Sequence, residues 1–348
     1  MKTKNKHLEK MAGEFAGLMI ARIRAIEEDW SKPWLSSPRR NFIPRNINGR
    51  KYRGGNAFML LLHLMEKGYK TPVFLTFLQA KKLRLTVNKG SKSFPVYYYV
   101  YAYIDKETKD RITCEEYDQL PESEKKKYFM VCTPKFYNVF NLEQTNFSEV
   151  RPEKWKELLD YYNVKIEERD DSGMITCQEL DHMLVERSWV CLIDVCMSDR
   201  AYFSPSQDLI VCPLKRQFKE GEGFYSTLLH EMTHSTGTAE RLNRLKKAVF
   251  GDENYAREEL VAELSSALSG FYLGISANIR SENAAYLKSW LKELKKDPEY
   301  LMNVLADCTK AVGFIISQLG VEHVFDDEPQ IETVEDEKAE TLLQEENK

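Results

Sequence analysis

Cysteine pairs at metal-binding or redox spacing are absent from this 348-residue chain, and histidine is scarce. The seven cysteines (Cys114, Cys132, Cys177, Cys191, Cys196, Cys212 and Cys308) form no C-x-x-C pair. An odd number without paired spacing argues for reduced thiols and against a disulfide frame or a cysteine-held zinc. Long apolar runs are missing too. The basic N-terminus leads into an amphipathic stretch, and no later run reads as long enough to span a bilayer. Neither a secretory leader nor a membrane span is expected, which points to the cytoplasm.

Acidic residues are scarce in one part only. Residues 1–100 carry 20 Lys plus Arg against 6 Asp plus Glu, and the remainder carries 30 against 48, giving the net charge of −4. A front of that sign suits a polyanion, because cations that neutralise a phosphate backbone release its counterions. From 326 to the end the balance reverses, with ten Asp or Glu against two Lys, a composition expected to be disordered. The length and the 43% hydrophobic content are ordinary for two domains with cores of their own.

Two of the six histidines fall four apart with a glutamate between, in Leu228-Leu229-His230-Glu231-Met232-Thr233-His234-Ser235-Thr236-Gly237. On a helix, residues i and i+4 lie one above the other, so His230 and His234 can converge on one ion while Glu231 stands beside it. Zinc accepts neutral imidazole nitrogens, and other divalent transition metals would satisfy the same donors. In a catalytic site the ion lowers the pKa of a bound water toward ~7. Glu231 is the candidate general base. Gly237 is placed to end the helix.

A third ligand is expected from the next helix, where Glu259 and Glu263 are again four apart beside apolar Leu260, Leu264, Ala267, Leu268 and Phe271. Glu259 is assigned as metal ligand on the Glu-x-x-x-acid pattern of Glu-type zincins, and Glu263 as the partner that orients an imidazole. Two alternatives stand beside this. Glu263 could itself be the ligand, or Glu258, Glu259 and Glu263 could be a solvated acidic face. Tyr255 and Tyr202 are candidates by position for stabilising an oxyanion.

The basic front starts with a helical repeat of apolar positions (Leu8, Met11, Phe15, Leu18, Met19, Ile23, Ile26) that reads as a docking helix. Cations then interleave with aromatics through Trp30-Ser31-Lys32-Pro33-Trp34, Pro38-Arg39-Arg40-Asn41-Phe42, Arg45-Asn46 and Gly49-Arg50-Lys51-Tyr52-Arg53-Gly54-Gly55-Asn56. Such interleaving suits single strands, with Lys and Arg on phosphates and aromatic faces on unpaired bases. Trp30 and Trp34 read equally well as anchors to the first helix. Helices are expected over 57–66, ended by Gly68, and over 76–82. A hairpin signal at Asn88–Lys92 offers Lys89 and Lys92 at its tip, and a strand runs from Pro95 to Tyr103. Residues 105–130 read as an exposed polar insertion, and Tyr137–Thr145 as a return strand. Pro152 opens a helix through Tyr162. Strands are expected at 190–195, 201–203 and 209–211, one of them edging a cleft, and further helices open at Ser281 and Pro298.

These segments resemble the ArdC-type antirestriction proteins of conjugative plasmids and related mobile elements. The zinc stretch with Arg241-Leu242 and Glu259-Leu260-Val261-Ala262-Glu263 is similar to that family's zincin-like domain. So are Ala201-Tyr202-Phe203-Ser204-Pro205 and Asn283-Ala284-Ala285-Tyr286-Leu287. The W-x-K-P-W stretch, Tyr52–Asn56 and the Val139-Phe140-Asn141 strand resemble its N-terminal domain. The resemblance implies an α+β fold of two domains: a small α/β single-stranded-DNA-binding domain over 1–148, and a zincin-like metallopeptidase domain with the HExxH helix over 149–325. It implies one zinc ion held by His230, His234 and Glu259. It also implies DNA contacts from among Lys32, Trp34, Arg39, Arg40, Arg45, Arg50, Lys51, Arg53, Asn56, Lys89 and Lys92. The expected activity is hydrolysis of a protein or peptide substrate near single-stranded DNA. The alternative is a DNA-shielding or replication and conjugation accessory protein with a structural zinc domain.

Overall fold

The computed structural model describes residues 6–29, 32–35, 42–163, 169–246, 252–276 and 286–321. Arg39, Arg40, the acidic tail and the expected helix start at Ser281 lie outside them. The first helix, α1 (Lys6–Glu28), buries the apolar stripe Met11, Phe15, Met19, Ile23 and Ile26. After β1 (Arg45–Asn46), α2 (Gly54–Lys67) ends at Gly68, whose φ of 67° is the left-handed geometry that glycine adopts freely. Next, β2 (Val73–Thr76) runs into α3 (Phe77–Lys82). Thr76 caps that helix reciprocally: its hydroxyl accepts from the Gln79 amide at 3.2 Å while its own amide donates to the Gln79 side chain at 2.8 Å.

The long strands β3 (Phe94–Asp105) and β5 (Tyr128–Asn141) pair antiparallel from Phe94↔Val139 to Asp105↔Tyr128. Between them lie β4 (Arg111–Ile112), α4 (Cys114–Asp118) and α5 (Glu122–Lys125), none of which buries a residue. The expected insertion is therefore the tip of one extended ribbon, and residues 128–130 belong to its second strand. The Asn88–Lys92 turn is exposed but joins no paired strands, because the partner of β3 comes from after the tip. The sheet order is β1-β2-β5-β3-β4. Helices α6 (Phe147–Val150) and α7 (Pro152–Tyr162) follow. Phe147, Leu158 and Tyr162 pack with Val73, Leu75 and Leu142, so the expected boundary at 148 falls inside a hydrophobic cluster.

The second part begins with α8 (Gln178–Glu186) and a three-stranded sheet of β6 (Leu192–Cys196), β7 (Tyr202–Ser204) and β8 (Leu209–Pro213), in the order β6-β8-β7. Strands β6 and β8 are parallel, and β7 is antiparallel to β8 at the sheet edge. Four helices complete it: α9 (Gly221–Thr236), α10 (Glu253–Tyr272), α11 (Leu287–Lys296) and α12 (Glu299–Gln318). Asp252 caps α10 by accepting from the Tyr255 amide at 2.7 Å. From Glu259 to Phe271 every residue of α10 is buried, so it is a central helix rather than a surface one.

One hydrophobic cluster joins the two parts: Phe15, Ile23, Phe58 and Phe74 share it with Leu260, Leu264, Trp290, Leu301 and Leu305. Where α2 meets α12, Gly54 has φ of 53° and a Cβ there would lie 2.1 Å from Thr309 Oγ1, while the Gly55 amide donates to that oxygen at 3.0 Å. The two glycines thus allow a close helix approach. By length and composition α12 passes as long and apolar enough to cross a membrane, contrary to the expectation that no run would. Its buried Leu301, Val304, Leu305, Cys308, Ala311, Val312 and Ile315 instead fill the core between the two parts. A Gly54→Ala substitution is expected to cost about 1–3 kcal/mol through overpacking and left-handed strain. Urea denaturation should show one transition at lower midpoint, not the loss of a separate front domain.

Candidate metal centre

Packing of α9 against α10 creates the site. Small side chains along α10 (Ala262, Ser265, Ser266 and Ser269, all buried) permit a close approach, and the Ser266 hydroxyl donates to the Ser226 carbonyl across the seam at 2.8 Å. His230 and His234, one turn apart on α9, bring their Nε2 atoms to 3.1 Å of each other. Glu259 of α10 faces both, with Oε2 at 3.4 Å from His230 Nε2 and Oε1 at 3.5 Å from His234 Nε2. Donors bound tetrahedrally to one ion at ~2.1 Å lie roughly 3.4 Å apart, and one donor atom from each of the three residues lies within 4.8 Å of the others, so together they could hold a small divalent ion. Buried His230 Nδ1 has no hydrogen-bond partner among the described residues and faces Glu263 Oε1 at 3.7 Å, just beyond hydrogen-bonding distance. Such a donor set, two imidazoles and a carboxylate, is one that zinc and related metals accept.

Supporting groups surround the donors. Glu258 Oε1 lies 3.2 Å from His234 Nδ1, and Arg244 holds the same carboxylate through Nε at 2.8 Å and Nη2 at 2.9 Å. Burial opposes ionisation of Glu258, yet the hydrogen bonds from Arg244 and His234 outweigh it and bring its pKa down to about 2. Burial likewise disfavours a charged His234, but Glu258, Glu259 and Glu231 together push its imidazole up to about 9. Tyr255 is raised, first by burial and then by Glu259. The sequence reading gave imidazole orientation to Glu263 alone. Here Glu258, one residue before the ligand and part of the supposed acidic face, does this for His234.

Arg244 is the second group the sequence reading missed. The chain turns back after α9, and Arg244 also donates to the Thr233 carbonyl at 2.8 Å, while Arg241 donates to the Ser235 carbonyl at 2.7 Å and to Asp208 at 2.5 Å. Both cations satisfy carbonyls in the last turn of α9, where the helix dipole favours positive charge. Gly237 ends the helix as expected, but with φ of −86° the reason is space: a Cβ would sit 2.9 Å from both Arg244 Nη2 and Leu245 Cγ.

The donors line a cleft of about 690 Å³, together with Glu231, Tyr255, Tyr286, Arg200 and the strand residues Tyr202 and Phe203. Strand β7 is thus the cleft-edging strand. Glu231 is 3% exposed and Glu263 is 2% exposed.

The nucleic-acid candidates scatter. Arg50, Arg53, Lys89 and Lys92 are exposed, and Lys32 and Lys51 are half-buried. Trp34 is corrected: it is fully buried and donates through Nε1 to Glu263 Oε2 at 3.0 Å, so no face is open to a base. Arg45 is corrected too, being buried with Nε donating to the Ile43 carbonyl at 3.2 Å and its guanidinium 5.7 Å from the Tyr162 ring. Asn56 is half-buried, and its side-chain amide accepts from the Tyr97 amide at 3.1 Å and donates to the Tyr97 carbonyl, which fastens α2 to β3. The ribbon exposes Tyr98, Tyr99 and Tyr101, which the sequence reading left as a plain strand, and Phe129, which it put in the polar insertion. Strict alternation would have hidden every second residue, and the run of tyrosines in β3 was the available signal.

The fold and site are those of a zincin-like metallopeptidase domain joined to a second α/β part. Residues 184–307 match the zincin-like metallopeptidase family, and residues 9–140 match the N-terminal domain of anti-restriction factor ArdC. The crystal structure of antirestriction protein ArdC from plasmid R388 is similar at a TM-score of 0.62 and 29% identity, covering 88% of this chain and 97% of that one in its metal-free form. Its Mn(II)-bound form gives a TM-score of 0.60 at 28% identity with the same coverage. The chain belongs to the ArdC-type antirestriction family. Two Escherichia coli proteins named DNA primase TraC are 30% and 31% identical over 313 and 308 residues, or 86% and 87% of this chain. The chain spans only 19% and 27% of their lengths.

Removing the positive partner of the buried Glu258 should be costly. Arg244→Gln is expected to destabilise the fold by about 3–5 kcal/mol, because the carboxylate stays buried without its cation. Thermal unfolding of the metal-free protein measures this directly.

Proposed function

We propose that this chain is a zinc metallopeptidase that works while bound to single-stranded DNA, in the service of antirestriction for a mobile element. The observation that carries the peptidase reading is the convergence of His230, His234 and Glu259 at edges of 3.1–3.5 Å on the wall of a cleft that Glu231 also lines. When bound there, a divalent ion supplies Lewis acidity, lowering the pKa of a coordinated water to ~7. Glu231 takes the proton from the attacking water and delivers it to the leaving amine. Glu258 keeps His234 in one tautomer and orientation. Strand β7, with one edge unpaired among the described residues, can add an extended peptide as a further strand, which gives affinity through main-chain bonds and little side-chain selectivity. A Mn(II)-bound structure of R388 ArdC supports a divalent ion for this chain as well; zinc is the choice for two imidazoles and one carboxylate.

The DNA reading rests on the front charge balance, on exposed Arg50, Arg53, Lys89 and Lys92, and on the aromatic ribbon. Likeness to part of two proteins named DNA primase, over most of this chain, supports a nucleic-acid role.

Glu231→Gln is expected to lower hydrolysis of an unfolded protein substrate about 10²–10⁴-fold while leaving zinc content unchanged. His230→Ala is expected to lose zinc as well. Wild-type protein that holds zinc yet hydrolyses nothing, with or without single-stranded DNA, would give the site a structural role. Replacing Tyr99 and Tyr101 with Ala is expected to weaken binding to a single-stranded oligonucleotide by about 1–3 kcal/mol for each stacked base. Lys89→Ala with Lys92→Ala should instead flatten the salt dependence of that binding. Fluorescence anisotropy across a salt series separates the two effects.

A further inference from the structure

We propose that Trp34, in the part matching the ArdC N-terminal domain, is a positioning residue of the metal centre in the zincin-like part. Its indole N–H holds Glu263 in the orientation that serves His230, an inference that rests on the metal reading above. Indole Nε1 can only donate, and a buried donor needs an acceptor. Here the acceptor is Glu263 Oε2 at 3.0 Å, 229 positions away in sequence. The other oxygen of the same carboxylate, Oε1, faces His230 Nδ1 at 3.7 Å. His230 Nε2 belongs to the donor triangle, so Nδ1 is the atom whose partner selects the tautomer and aims the ring. Glu263 is 2% exposed, so its carboxylate is oriented by protein groups rather than by bulk water.

Trp34 is itself rigidly held. It is fully buried, and Arg22 of α1 donates to its carbonyl at 3.2 Å and to the Pro33 carbonyl. Its ring tilts against Trp290 of α11 at 6.4 Å, and Trp290 Nε1 donates to the Ala256 carbonyl of α10 at 2.7 Å. The chain of contacts therefore runs from α1 through Trp34 to the helix that carries Glu259 and Glu263. Filling this space requires only a large ring, which phenylalanine would nearly provide. The contact that requires tryptophan is the N–H on a carboxylate whose other oxygen faces His230. By this reading, part of the orientation of a zincin ligand comes from the other family segment, and the zincin-like part does not hold His230 by itself.

The test uses the full chain, with zinc affinity measured by competition against a chromogenic chelator in Trp34→Phe, Glu263→Gln and the double variant. Trp34→Phe is expected to weaken zinc binding about tenfold, the lower end of what outer partners of metal ligands contribute. In the Glu263→Gln background the same change should have little further effect, because its route to the metal is gone. Unchanged affinity in a folded Trp34→Phe protein would overturn the proposal. So would an equal loss in both backgrounds, which would make the ring a packing element only. Should Trp34→Phe not fold, the wild-type chain labelled with ¹⁵N-tryptophan decides. The Trp34 indole resonance, assigned by replacing the other four tryptophans in turn, should move on zinc titration, and a stationary resonance would refute the role. A wild-type chain that takes up no zinc would instead fail the metal reading, a result distinct from either of these.

Discussion

Helix α10 carries three carboxylates, Glu258, Glu259 and Glu263, into the protein interior, and much of the architecture answers that burden. Each buried charge costs several kcal/mol unless it is paired. The partners come from separate places in the chain. Glu258 takes Arg244 from the loop after α9 and His234 from α9 itself. Glu259 faces the two imidazoles, and Glu263 takes the indole of Trp34. Removing Arg244 or Trp34 takes a polar partner from a buried carboxylate, so the site and the packing around it stand together. A divalent ion would complete the arrangement by adding positive charge where Glu259 and the two imidazoles converge.

The same helix explains why the two family segments are not loosely tethered. Its apolar residues join α1, α2, α11 and α12 in one cluster, and Gly54 and Gly55 let α2 approach α12 to the distance at which an amide meets the Thr309 hydroxyl. A continuous core of this kind favours a single cooperative unit. The front part is therefore joined to the helix that carries Glu258, Glu259 and Glu263 by packed side chains rather than by a linker. The cleft, by contrast, is bounded by β7, an edge strand only three residues long, which leaves main-chain groups available to a ligand.

Much of the site was legible because it is periodic. Four-residue spacing on a helix needs no tertiary information to place His230 with His234, or Glu259 with Glu263, on one face. One helix end was readable from Gly68, and the strands around 192–196, 202–204 and 209–213 from their apolar runs. Trp34, Arg45 and Asn56 were misread for a common reason. Aromatics interleaved with cations and amides look alike whether they meet bases or their own protein. Burial decides between those uses, and burial is not written in local composition. The Asn88–Lys92 turn misled because β3 finds its partner beyond a tip of more than twenty residues, and non-local pairing leaves no local mark.

By itself the sequence determined the candidate metal-binding residue types, their helical faces, the charge split between front and remainder, and the family to which the chain belongs. Those follow from covalent order and from the fixed periods of helix and strand. Only the tertiary structure decided that Glu258 and Arg244 support His234, that Trp34 faces inward onto Glu263, and that the two parts share a core. Each of those depends on which groups distant in the chain are excluded from water together, and that is set by the packing of whole helices.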